Sequence, residues 1–346
     1  MSTLLRISVV LCGFCWAASL SQAQLDPFGE QPPTRARVVI VKDPQATSAF
    51  VPRIDVVRSM VDRGILKLTG KADVASAWRS CVSTQDVVGI KVYSAPGPNS
   101  GTRPAVARAV AEGLIEAGLE KSNIIIWDRR LADLRLAGYD AVASACGVRL
   151  AGAAHAGYDS NVFYDNAVFG SLVAGDLDFD QNGAKTGRKS YVSKLVTRQL
   201  TKIIIISPLL NHNQANLCGC LFSLSMGSVD NTLRFQSDGS RLAAAVPEIY
   251  ALPALSDHVR LCMIDALIGQ YQGEETSLLH YSSELNQIWL SKDPVALDAL
   301  GGQELDRERQ AANMRSFGSN PDLLSNASLL ELGVSDLSKV RVDVVK

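Results

Sequence analysis

A basic excess is missing from this chain: 34 lysines and arginines stand against 35 aspartates and glutamates, a formal charge of −1. With no positive surplus and no block of like charge, nothing gathers a phosphate backbone or an anionic bilayer surface, so nucleic-acid binding is not expected. Histidine is scarce. The four residues His155, His212, His258 and His280 show no H-x-H or H-E-x-x-H spacing, so no zinc site is legible in the sequence. Neither G-x-S-x-G nor S-x-x-K occurs, which removes the familiar serine acyl-transfer arrangements, and there is no Walker loop and no G-x-G-x-x-G fingerprint.

Long apolar runs are also lacking, except at the start. Arg6 followed by an apolar stretch from Ile7 to Leu20, with Ser21 and Ala23 at the small-residue positions, has the pattern of a secretory signal cleaved after Ala23. Residues 1–23 are therefore expected to be a signal peptide for export to the periplasm or beyond, and 24–36 a flexible, proline-rich lead-in. No later run is long enough to span a bilayer, so no membrane span is expected once the signal is gone. Of seven cysteines, Cys12 and Cys15 leave with that segment, and they form the only C-x-x-C. The remainder (Cys81, Cys146, Cys218, Cys220 and Cys262) are too sparse for an iron–sulfur cluster or zinc ribbon, though an exported chain has room for one or two disulfides. Cys218-Gly219-Cys220 is taken as two small buried residues.

What is present, 47% hydrophobic and 20% charged residues, suffices for a large globular core in one or two closely packed domains. Arg37–Lys42 and Val87–Val92 are β-branched runs that predict buried strands, with helical spacing between them at Ile54, Val57, Met60 and Val61 and again over Ala72–Val82. Pro104 opens and Gly118 closes a helix before the strand Asn123–Trp127, completing a βαβ unit. Residues 148–190 change texture to short strand-like pieces rich in Asp, Asn and Gly, which predicts a β-rich insertion. Further strands are predicted at Lys202–Ser207, Arg260–Ile264, Gln287–Leu290 and Val340–Val345, with a small-residue helix near Asn216–Met226 and an Asp293-Pro294 helix start. The expected fold is α/β, a mostly parallel sheet flanked by helices.

In such sheets ligands bind beyond the carboxyl ends of the strands, which directs attention to the polar residues there. Lys91 ends a strand, and the Gly- and Pro-rich loop 94–101 leads to Thr102 and Arg103, so a hydroxyl and two cations can converge on an anion. After Ser207 come Asn211, His212 and Asn213, amides around an imidazole that are costly to bury without partners. Asn231 and Arg234 form another polar turn, and Asp128 and Asp265 each follow a strand. Asp178-Phe-Asp180-Gln-Asn182-Gly183 matches the first half of a calcium loop, but Lys189 stands where a bidentate Glu is needed, so an Asn-Gly turn is the favoured reading.

VVGIKV followed by GTRP, then AGLEKSNIIIWDR, KIIIISPLLNHN, LFSLSMGSVDNTLRF and WLSKDPVALDAL together resemble domain-of-unknown-function family 362 (DUF362), over about Arg37 to Lys346. The resemblance implies an α/β fold without implying a settled reaction. Some relatives carry ferredoxin-like cluster cysteines, and this chain departs from them in having none. It departs again at Tyr93, where relatives often have Asn, and near Leu210-Asn211, where they have a lysine. Arg6 without an arginine neighbour suggests export through the general secretory channel.

The expectation drawn from these residues is an enzyme acting on a small anionic substrate. Lys91, His212, Asp128 and Asp265 are its candidate catalytic residues: Lys91 with Arg103 holds the anion, His212 is general acid or base, and Asp128 or Asp265 orients it or binds a divalent metal. Thr102, Arg103, Asn211, Asn213, Asn231 and Arg234 are candidate substrate contacts. The alternatives are an exported binding protein for a small anion or metal, and a structural or partner-binding protein.

Overall fold

Four consecutive isoleucines, Ile203–Ile206, are fully buried at the centre of the molecule, each worth about 1.5–3 kcal/mol of transfer free energy. A run this apolar is stable only where both faces of a strand are covered, as in a parallel sheet. The computed structural model describes residues 36–179, 186–236, 238–315 and 320–346. The signal-like segment and the calcium-loop positions Asp180, Asn182 and Gly183 lie outside them.

The chain begins with β1 (Ala36–Lys42), a small hairpin of β2 (Thr47–Ser48) and β3 (Val51–Pro52), and helices α1 (Ile54–Thr69) and α2 (Val74–Arg79). It continues through β4 (Val88–Val92), α3 (Pro104–Glu116), β5 (Ile124–Asp128), α4 (Leu131–Leu136), α5 (Tyr139–Cys146) and β6 (Arg149–Gly152). A hairpin of β7 (Tyr158–Ser171) and β8 (Thr186–Ser193) follows, then β9 (Lys202–His212), β10 (Asn216–Leu217) and helices α6 (Cys220–Ser228), α7 (Leu233–Gln236), α8 (Gly239–Tyr250) and α9 (Pro253–Ser256). The last part comprises β11 (Val259–Gln270), β12 (Ser282–Ser291), α10 (Pro294–Ala311), α11 (Pro321–Leu329) and β13 (Val340–Val345).

The main sheet runs β13-β1-β12-β11-β9-β4-β5-β6. Along this path the described pairings are parallel except the two made by β12. Side chains alternate between two cores, as the pleat requires. Val88, Ile90 and Val92 of β4 join Val57 and Met60 of α1 and Val106 and Val110 of α3 on one face. Lys91 points to the opposite face, where Trp127 and Ile205 meet the apolar residues of α6, α8 and α10.

The architecture is thus α/β, with a mostly parallel sheet and a separate antiparallel β7–β8 pair. Four details go beyond the sequence reading or differ from it. The segment Pro208–His212, expected as a loop, continues β9; Pro208 is tolerated because β4 ends at Val92, opposite Ile206, and asks for no N–H beyond it. The strand around Gln287–Leu290 is antiparallel, because a short connection from β11 returns the chain directly alongside. Residues 149–152, assigned to the insertion, extend the main sheet beside β5. The small-residue helix begins at Cys220, after Gly219, and not near Asn216, whose φ of 71° is left-handed. The five cysteines outside the signal-like segment are buried free thiols.

Candidate functional site

Connections leave β4 and β9 in opposite directions, β4 toward β5 and β6, β9 toward β11, so a crevice opens between their carboxyl ends. A cavity of about 520 Å³, in the range of small-molecule sites, lies beside this crevice, at the carboxyl ends of β4 and β5. Tyr93 from the end of β4, Asp128, Arg129 and Arg130 from the end of β5, Phe222 and Gly227 from α6, and residues 173–176 beyond β7 contribute to its walls.

Its floor is a saturated ion pair. The Lys91 ammonium donates to Asp128 Oδ1 at 2.9 Å, to Ser223 Oγ at 3.1 Å and to the Val92 carbonyl at 2.7 Å. Burial pulls the Lys91 pKa down, and Asp128 opposes that pull. Asp128 receives the Arg129 N–H at Oδ1 (2.7 Å), and both the N–H and the hydroxyl of Ser94 at Oδ2 (2.7 Å each). A Cβ on Gly227 would run into the Lys91 side chain, so glycine is what lets α6 close over the ammonium. The pair anchors the cleft; its ammonium has no free proton for a ligand.

The groups left open stand above that floor. Arg129 donates to Thr232 Oγ1 at 2.9 Å and is half-buried, while Arg130 is exposed. The carboxylate of Asp133, on the first turn of α4, has no hydrogen-bond partner among the described residues, and burial raises its pKa against the opposing pull of Arg130. The Tyr93 hydroxyl donates to Glu275, and burial pushes the phenol well up. Tyr93 and Phe222 pack edge to face at 6.2 Å, forming an aromatic wall.

The remaining sequence candidates separate into three groups. Thr102 Oγ1 donates to the Ile206 carbonyl at 2.7 Å and receives the Tyr93 N–H, so it ties β4 to β9. Arg103 and Asp265 pair at 3.2 Å, both buried, with Asp265 also taking the Arg103 N–H at 2.8 Å. Neither lines the cleft. His212 Nδ1 accepts N–H groups from Gln214 (3.2 Å) and Ala215 (3.0 Å), which makes it a neutral turn acceptor behind Phe222. Burial lowers its pKa, against the opposing pull of Glu274 and Glu275. Asn211 accepts from the Glu274 N–H at 3.1 Å, and the Asn213 N–H donates to Glu274 at 2.7 Å, so both fix the β9–β10 turn. Arg234 donates to Ser190 Oγ at 3.1 Å beneath the β7–β8 hairpin. Asn231 alone of the predicted substrate contacts lines the cleft. No group of three or more His, Cys, Asp or Glu suited to a metal ion occurs among the described residues.

Sequence reasoning did not select Arg130, Asp133, Ser223 or Glu275. Arg130 and Asp133 had a signal, since they follow directly on the strand-end Asp128; Glu275 had none, because its approach to Tyr93 spans 182 residues.

No curated protein matches the chain. A solved crystal structure of a Thermotoga maritima protein, a structural-genomics target, is similar at 10% identity with a TM-score of 0.38. That match covers 76% of this chain and 60% of the other, so the present chain spans less than two thirds of its length. The family described as a domain of unknown function, DUF362, matches residues 88–302, more than half of the sequence and the span that holds the floor and most of the cleft. The chain belongs to the DUF362 family.

Proposed function

We propose that the chain binds a small anionic molecule in the cleft at the carboxyl ends of β4 and β5 and carries out acid–base chemistry on it. The observation that carries this reading is the convergence of Arg129 and Arg130 on one cavity with Asp133, a carboxylate free of hydrogen bonds to the described residues and raised in pKa by burial. Adjacent guanidiniums suit a carboxylate or phosphate, and a carboxyl group with no hydrogen-bond partner of its own is placed to take or give a proton. Lys91, Ser94 and Asp128 hold the strand ends in place beneath them. The signal-like start of the chain supports action after export.

A second reading, binding without turnover, is favoured by the engagement of His212 as a turn acceptor, which removes the expected imidazole base from the cleft. The test is thermal stabilisation by a panel of small carboxylates and phosphates, applied to the wild type, Arg129→Ala/Arg130→Ala and Asp133→Asn. Saturable stabilisation lost in the double arginine variant supports the site, and its persistence there refutes it. Asp133→Asn separates the two readings, because a receptor keeps its function in that variant while an enzyme loses turnover.

A further inference from the structure

The two edges of the main sheet are built differently. β6, at one end, is four residues long and begins with the exposed Arg149, the short and charged form that discourages further pairing. β13, at the other end, is six residues long and has β1 as its one neighbour among the described residues. Such an edge presents backbone donors and acceptors to which another strand can be added. Its side chains alternate with the pleat: Val340, Val342 and Val344 face one side of the sheet, Arg341 and Asp343 the other. Val340 packs against the core, whereas Val342 and Val344 are 40% and 52% exposed.

The order of these residues identifies the partner. Val340-Arg341-Val342-Asp343-Val344 is symmetric about Val342 in side-chain size and antisymmetric in charge. Laid antiparallel to itself about that residue, it sets Arg341 opposite the partner's Asp343 and Val340 opposite the partner's Val344, each twice over, with Val342 facing its own copy. Opposite charges and β-branched residues directly across from one another are favourable cross-strand pairs. Moving the centre by one residue sets Arg341 against Arg341 or Asp343 against Asp343, so charge fixes the register. The charged groups are ready for this pairing. Arg341 Nε donates to Asp343 Oδ1 of its own strand at 3.0 Å, and its two terminal nitrogens have no partner among the described residues. Asp343 Oδ2 is held by Arg37 Nε at 2.8 Å, which fixes the carboxylate in place. A foreign strand matches this pattern only by coincidence, while a second copy matches it by symmetry. We propose that two copies of the chain join through β13 about a two-fold axis at Val342, making one continuous sheet. The proposal does not depend on what the cleft binds.

Sedimentation equilibrium of the full chain over a range of concentrations tests it. The expected result is a monomer–dimer equilibrium, weakened about tenfold or more in Arg341→Glu, where like charges meet twice. Because that substitution also removes an ion pair within β13, cysteine cross-linking gives a second reading. Facing residues of an antiparallel pair have Cα atoms about 4.5–5.5 Å apart, which a disulfide spans, whereas Val344 and its copy would lie four residues out of register, about 13 Å apart. Val342→Cys should therefore form a covalent dimer with oxidised glutathione. Val344→Cys should not, nor should the wild type, whose cysteines among the described residues are buried. A chain that stays monomeric at every concentration overturns the proposal, and dimerisation only after removal of the residues before Ala36 gives the edge to that segment instead. A dimer that Arg341→Glu leaves intact and that cross-links at neither position uses another surface, which also overturns it. Cross-linking at Val344 as strong as at Val342 overturns the register.

Discussion

Lys91 Nζ lies 2.9 Å from Asp128 Oδ1, joining the carboxyl ends of the neighbouring parallel strands β4 and β5 directly beneath the cleft. Both side chains are almost completely buried, so the pair is held by geometry and by the hydrogen bonds around it. Removing one partner is the costly change. Lys91→Met should destabilise the chain by about 3–5 kcal/mol in urea unfolding, because Asp128 is left as a buried carboxylate without its counter-charge. Adding Asp128→Asn should recover part of that loss, and a double variant no more stable than Lys91→Met would show that the charge is not the cause.

Gly227 provides a steric check on the same floor. Its missing Cβ makes room for the Lys91 side chain. Gly227→Ala should cost about 1–3 kcal/mol by overpacking, visible as a lower unfolding midpoint. Combining it with Lys91→Met should bring less than the sum of the two losses, since the longer alkyl amine is what the new methyl meets.

The sheet was legible where apolar runs are continuous, as at Arg37–Lys42, Val87–Val92 and Lys202–Ser207, because burial on both faces leaves no other account of such residues. The direction of β12 was not, since nothing in Gln287–Leu290 records which way its neighbours run. Among candidate site residues, Asp128 and Lys91 were selected because strand ends in α/β sheets are where ligands bind. Arg103 and His212 were chosen by the same rule. Their engagement with Asp265 and with the Gln214–Ala215 turn depends on contacts that only the folded chain defines.

Asp298 on α10 caps a helix that is not its own. Its two oxygens take the Cys220 and Leu221 N–H groups at 2.7 and 2.9 Å, and burial drives its pKa up to about 7. A carboxyl raised in the folded state gives stability that is full below its ordinary value of 3.8 and lost as the pH rises through about 7. Wild type compared with Asp298→Asn should therefore lose stability by about 1.4 kcal/mol per pH unit across that window, measured by urea unfolding at successive pH values. A flat difference would contradict the raised pKa.

His212 predicts the opposite slope. Its neutral Nδ1 is the acceptor for the turn, and burial lowers its pKa, so its contribution is full above the ordinary value of 6.5 and lost as the pH falls through the lowered one. The stability advantage of wild type over His212→Leu should shrink with acidification. An advantage that grows in acid would mean that the imidazolium is the favoured form.

The most direct test of the cleft is crystallographic: anomalous diffraction from crystals soaked with 3-(4-bromophenyl)propionate. The account predicts bromine density against Tyr93 and Phe222, with the carboxylate within ion-pair distance of Arg129 or Arg130. A carboxylate bound at Arg103, or an empty cleft at saturating probe, would contradict it.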